Sequence, residues 1–237
     1  ADLEEWISLP DHKGLRGQNL VENAISKSSR ENSPVEYFKV KTADGIEMDG
    51  WMVKPLNFDP AKKYPVVFYV YSEPAGQTVT DSYGNTSNFL YRGDMSQDGY
   101  FYISMDNRGT PAAKGKDWRK SIYRKIGIVN IRDQAMAAKE ILKNPSMDTS
   151  RVAVWGWSGG GSATLNLMFQ YPDIYKTGIS IAAVANQLTY DNIYQERYMG
   201  IPQENREDFI KGSPMTYAKN LKGNLLYIHG TGDDNVH

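Results

Sequence analysis

The sequence contains no cysteine and only three histidines, at positions 12, 229 and 237, among 237 residues. Without cysteine there are no disulfides and no thiolate metal sites, although the cellular compartment stays open because secreted proteins need not use cystine. Three scattered histidines argue against a multi-histidine metal centre, and no cofactor is called for. No stretch of about 18 apolar residues exists to span a bilayer. The start, Ala1-Asp2-Leu3-Glu4-Glu5, lacks the basic residues and apolar run of a signal peptide. Neither charge sign dominates. A net charge of −1 and the absence of a long run of like charge argue against a nucleic-acid partner or a membrane surface. There is no internal repeat and no low-complexity tract.

What the chain has is alternation. Residues 1–34 are polar and turn-rich and read as a linker arriving from a preceding domain. Val35 to Val40 alternate, Thr42-Ala43-Asp44-Gly45 is a turn, and Ile46 to Val53 return, which predicts a hairpin. Pro65 to Tyr71 is an unbroken apolar run suited to a strand buried on both faces, and Tyr100 to Met105 is the next strand. A helix is predicted over Val129–Lys143, with Ile131, Ala135, Ala138 and Leu142 on one face. The run Val152–Trp155 reads as a strand and Ala163–Phe169 as a helix. A strand over Thr177–Ala185, a helix over Asp191–Met199 and a last strand over Asn224–Ile228 complete the pattern. Such a chain predicts an α/β fold, a mostly parallel sheet with helices on both faces, occupying residues 35–237. Ligands then bind at the carboxyl ends of the strands, where the loops after Tyr71, Met105, Ala185 and Ile228 meet Ser158.

Ser158 stands out. Gly156-Trp157-Ser158-Gly159-Gly160 fits Gly-x-Ser-x-Gly between a predicted strand and a predicted helix, the setting in which a sharp turn lifts a serine hydroxyl above a sheet edge. A glycine-rich turn that only makes room for packing is the other reading of the same residues.

Three longer segments carry a family resemblance: Gly-Trp-Ser-Gly-Gly-Gly at 156–161, the run from Tyr190-Asp191 through Glu196-Arg197-Tyr198-Met199-Gly200, and His229-Gly230-Thr231 through Asp233-Asp234-Asn235-Val236-His237. On these the chain resembles the catalytic domain of the prolyl oligopeptidase family of serine peptidases, its dipeptidyl peptidase IV branch in particular, from about Val35 to the last residue. The resemblance implies Ser158 as nucleophile and Asp233 as the triad acid, with Asp234 as the alternative carrier. It implies an oxyanion hole from the Gly159 N–H and the Tyr71 hydroxyl, and a small pocket for a proline-like ring walled by Tyr190 and Tyr194 and lined by Val184 and Val236. Asn235 and Arg108 match polar groups that bind the substrate backbone or brace the site. It further implies a peptide substrate cleaved after proline or alanine near its N-terminus, a homodimer and an extracellular or periplasmic location.

The sequence also departs from that family. No catalytic histidine can be placed: His237 is too close to Asp233, while His229 precedes it and His12 lies in the linker. The last strand and the closing helices of the fold are expected to be missing, as is the preceding β-propeller. The chain therefore reads as part of a longer protein, inactive alone and completed by the rest of its own chain. Gly159 stands where this branch has tyrosine and Gln187 where it has tryptophan, so a wider pocket is expected. Two further readings stay open: an acylaminoacyl-peptidase or esterase on the same fold, and a catalytically inactive interaction domain.

Overall fold

The computed structural model describes residues 34–237 apart from positions 83, 87 and 89, so the linker read over 1–34, Pro34 aside, lies outside the described residues, as does His12. Seven strands form one sheet: β1 (Glu36–Lys41), β2 (Glu47–Val53), β3 (Tyr64–Tyr69), β4 (Phe101–Asp106), β5 (Met147–Trp157), β6 (Thr177–Ile181) and β7 (Asn224–Ile228), in the spatial order β1-β2-β4-β3-β5-β6-β7. β1 and β2 make the predicted hairpin. β2 also runs antiparallel to β4, and every later pairing is parallel.

Parity along the strands sorts the apolar residues. Val66, Phe68, Phe101, Ile103, Val152 and Val154 point to one face, where α2 (Val129–Ile141) and α3 (Gly159–Gln170) cover them. α3 is buried on every side through Phe169, because it lies between the sheet and the 3₁₀ segment Pro214–Asn220. The alternate residues Trp51, Tyr102 and Trp155 point to the second face, where Val79 and Met95 pack. Among the described residues no helix joins that second cluster, and the segment after β3 packs on it. Asp106 pins this segment at the end of β4. Its carboxylate accepts the Thr78 N–H at 2.8 Å and the Val79 N–H at 3.1 Å, and Trp51 Nε1 donates to the Thr78 carbonyl at 3.0 Å.

The element boundaries moved for local reasons. β6 stops at Ile181 instead of Ala185 because Ala182 takes a positive φ of 46° and turns the chain away. α1 (Gly115–Lys120) has no buried residue and hence no apolar periodicity to read. α4 (Asn192–Met199) was predicted within a residue. α5 (Pro202–Gly212) opens on a proline at its first turn, but non-helical angles at Asn205 break its pattern. At the sheet's edge β7 pairs only with β6 among the described residues and leaves Leu226, Tyr227 and Ile228 exposed.

Candidate active site

β5 ends at Trp157, α3 begins at Gly159, and Ser158 between them sits at φ 57° and ψ −118°. A serine held in that region costs about 1–3 kcal/mol and persists only where its surroundings impose it. Here they do. The Ser158 N–H donates to the Ile181 carbonyl at 2.9 Å, and the Ser158 carbonyl accepts the Ser162 N–H at 3.0 Å as the first bond of the helix. The neighbouring glycines allow the turn by letting backbones touch. A Cβ on Gly160 would lie 2.2 Å from the Val70 carbonyl oxygen, and one on Gly156 would lie 2.4 Å from the same atom. The turn is therefore wedged against the end of β3. The Ser158 hydroxyl makes no hydrogen bond among the described residues and faces a small cavity of about 40 Å³.

The loop after β3 supplies one wall. Tyr71 lies two residues beyond the end of its strand, and Ser72 follows with φ 72°. This bend is locked by amides: the Ser72 hydroxyl donates to Asn107 Oδ1 at 2.9 Å, and the Ser72 carbonyl accepts from Asn107 Nδ2 at 3.2 Å and Asn130 Nδ2 at 3.1 Å. The locked bend turns Tyr71 and Glu73 towards Ser158. The Tyr71 hydroxyl has no hydrogen-bond partner among the described residues; burial and the neighbouring Glu73 charge raise its pKa. At the start of α3 the Gly159 N–H has no acceptor within the helix. Two unengaged donors thus flank the Ser158 turn.

The opposite wall is aromatic. Asp191 caps α4 by accepting the Tyr194 N–H at 2.8 Å, which fixes the phase of the helix. Tyr190 and Tyr194 then meet edge to face with ring centres 5.7 Å apart, and Val184 lies beside them in the cavity lining. The sequence reading brought Ser158, Gly159, Tyr71, Val184, Tyr190 and Tyr194 to one site, and all six line this cavity.

The remaining candidates lie outside it. Asn235 reaches the wall through Tyr190, whose hydroxyl donates to Asn235 Oδ1 at 3.2 Å. Asp233 turns inward on its own loop: Oδ1 accepts the N–H groups of Asn235 at 3.1 Å and Val236 at 2.9 Å, and these bonds hold its carboxyl below the usual range. Asp233 Oδ2 lies 3.6 Å from His229 Nε2, whose closest tie is to the Val236 carbonyl at 2.6 Å. Val236 is buried, but neither it nor Asp233 lines the cavity. Arg108 is committed elsewhere. Its Nε and Nη2 donate to the fully buried Asp133 carboxylate of α2 at 2.9 and 2.7 Å, so it braces the loop after β4 and does not line the Ser158 cavity.

One residue escaped the sequence reading. Glu73, 5 % exposed, lies in the cavity wall and accepts the Tyr194 hydroxyl on Oε2 at 2.9 Å. Burial raises its pKa to about 7. Its Cγ would stand 2.2 Å from a Cβ on Gly159, so Glu73 occupies the space that the missing side chain leaves. Gln187 is likewise buried; its Oε1 accepts from Gln195 Nε2 and its N–H donates to the Ser213 hydroxyl at 2.8 Å. The wider pocket expected from Gly159 and Gln187 is in fact narrow and rimmed with polar groups. The legible signal was Gly159 itself, a small residue that implies a neighbour in its place.

The prolyl oligopeptidase family matches residues 88–237, which include the elbow, the aromatic wall and the Asp233 loop. The chain belongs to the prolyl oligopeptidase family. Among relatives of this family, it is 36% identical over 205 residues to dipeptidyl peptidase 4 of Trichophyton equinum, an alignment covering 86% of this chain and 26% of that protein. Dipeptidyl peptidase 4 of Arthroderma otae is 37% identical over the same share of each chain. The crystal structure of Porphyromonas gingivalis dipeptidyl peptidase 4 superposes with a TM-score of 0.82 at 38% identity, covering 92% of this chain and 30% of that one. The chain thus spans about a quarter of the length of the curated relatives it matches. Its fold is the α/β-hydrolase domain of the family.

Proposed function

We propose that this chain is the nucleophile-bearing part of a serine dipeptidyl peptidase, which releases short peptides after proline or alanine through an acyl-enzyme on Ser158. The observation that carries the reading is the Ser158 turn: a strained backbone held by Ile181 and Ser162, with a free hydroxyl beside two unengaged donors. In the reaction, Ser158 Oγ bonds to the scissile carbonyl carbon while a base takes its proton. The carbonyl oxygen becomes an oxyanion met by the Gly159 N–H and the Tyr71 hydroxyl. Collapse expels the amine, which takes the proton from the base, and water then hydrolyses the ester by the same steps.

Asp233 is the proposed orienter of that base, since its Oδ1 is fixed by two backbone N–H groups and its Oδ2 is spared by them. Among the described residues no histidine lines the Ser158 cavity. The base, and the groups that hold the substrate's free amine, are proposed to come from elsewhere in the protein. Tyr190, Tyr194 and Val184 form the wall against which the residue before the cleaved bond packs, with Asn235 reached through Tyr190.

Hydrolysis by the full-length protein of three substrates tests the assignment: a Gly-Pro amide, an acetylated amino-acid amide and a short acyl ester. Preferential cleavage of the first is expected. Activity confined to the second or third would replace the dipeptidyl reading with an acylaminoacyl-peptidase or esterase.

A further inference from the structure

The cavity beside Ser158 contains an acid that the reaction above does not use. Glu73 is 5 % exposed, and among the described residues nothing cationic faces it. Tyr194 satisfies Oε2, while Oε1 accepts no hydrogen bond from a described residue. A pocket meant only for a hydrocarbon ring gains nothing from such an acceptor, because a purely apolar occupant leaves it stripped of water with no donor in exchange.

The placement of Glu73 is also specific. Its side chain lies over the first residue of α3, and Gly159 alone permits that: any Cβ there would sit 2.2 Å from Glu73 Cγ. The locked bend at Ser72 delivers the side chain to this position. Residues from three separate segments, Gly159, Ser72 and Tyr194, therefore converge to present one carboxyl group beside the nucleophile.

We propose that Glu73 is a specificity-determining residue of this pocket. Its free oxygen selects substrates whose residue before the cleaved bond carries a small hydrogen-bond donor, a hydroxyl or an ammonium, over those with a hydrocarbon side chain of the same size. The proposal rests on the peptidase reading of Ser158. Small size follows from the cavity of about 40 Å³, room for only a few water-sized groups. A site built to meet a donor discriminates strongly against the analogue that lacks it, since the buried acceptor is then left bare.

The test compares kcat/KM of the full-length protein on Gly-Xaa amides in which Xaa is alanine, serine or 2,3-diaminopropionate, with Gly-Pro amide as reference. The wild type is expected to favour serine or diaminopropionate over alanine, and which of the two gains identifies the donor as neutral or cationic. In Glu73→Met, of similar length but without oxygens, that preference falls about tenfold or more. The ratio is the readout, so a general loss of activity in the variant cancels from it. A wild type that cleaves the alanine substrate better than both donors overturns the proposal without any variant, as does an unaltered ratio in Glu73→Met. Should the wild type cleave none of these amides, Gly-Pro included, the peptidase reading falls and Glu73's role with it; cleavage of Gly-Pro with an unaltered ratio removes Glu73's role alone.

Discussion

The Tyr194 hydroxyl donates a 2.9 Å hydrogen bond to Glu73 Oε2 and so joins α4 to the loop after β3 across 121 residues of sequence. Both residues line the cavity beside Ser158, so the bond ties two parts of its wall together. It also places a carboxyl group where burial works against its charge, and that has a thermodynamic consequence.

Burial raises the Glu73 pKa from an ordinary 4.5 to about 7. Below pH 4.5 the group is protonated both folded and unfolded, and folding costs nothing there. As the pH rises towards 7 the unfolded chain ionises while the folded one keeps its proton, so stability is lost, by about 3 kcal/mol once the pH passes 7. Glu73→Gln removes this dependence. Denaturant midpoints at pH 4.5, 6 and 8 are expected to show the variant gaining on the wild type as the pH rises, and parallel profiles would contradict the assignment.

Gly160→Ala and Gly159→Ala should differ in kind. The added methyl at 160 meets the Val70 carbonyl oxygen at 2.2 Å, a backbone atom with no room to move, with expected destabilisation of about 2–3 kcal/mol or more. At 159 the methyl meets a side chain, that of Glu73, which can rotate away at the cost of its bond to Tyr194. Thermal unfolding should show a large fall in Tm for the first and a small one for the second, and equal falls would mean that the turn is not wedged as described.

Tyr71→Phe removes a hydroxyl that makes no structural hydrogen bond among the described residues. Its Tm should stay near wild type. If the hydroxyl stabilises the oxyanion, kcat falls about 10²–10³-fold with little change in KM. A matching loss of stability would reassign Tyr71 to packing.

Asp133→Ala should be among the most damaging single changes outside the site. The Asp133 carboxylate is fully buried and accepts three bonds from Arg108: the backbone N–H at 3.1 Å and the two guanidinium contacts. Removing it strands the partly buried guanidinium, at a cost of about 3–5 kcal/mol. Denaturation measures this, and a change under 1 kcal/mol would show the pair to be dispensable.

Much of this was legible in the sequence, for identifiable reasons. Strands announced themselves where both faces are buried: all six residues of β4 are buried, and four of them, Phe101, Tyr102, Ile103 and Met105, are apolar. α2 showed through the spacing of Ile131, Ala135 and Ala138. The elbow was legible because its glycines are forced by backbone contact, although those same glycines hid the first four residues of α3, which read as turn. Glu73 was not legible. Between Ser72 and Pro74 in a polar loop it carries no local mark of burial, which depends on Asn107, Asn130 and Tyr194, all distant in sequence. The Arg108 partner was hidden for the same reason, since Asp133 is 25 residues away and carries no local mark of pairing.

Active-site labelling examines the proposed role of the Ser158 hydroxyl as nucleophile without relying on any substrate preference. The full-length protein is treated with a fluorophosphonate and the modified peptide is located by mass spectrometry. A single adduct on Ser158, abolished in Ser158→Ala, is the expected result. Labelling at another serine, or none under conditions where the protein cleaves its substrate, would contradict the account.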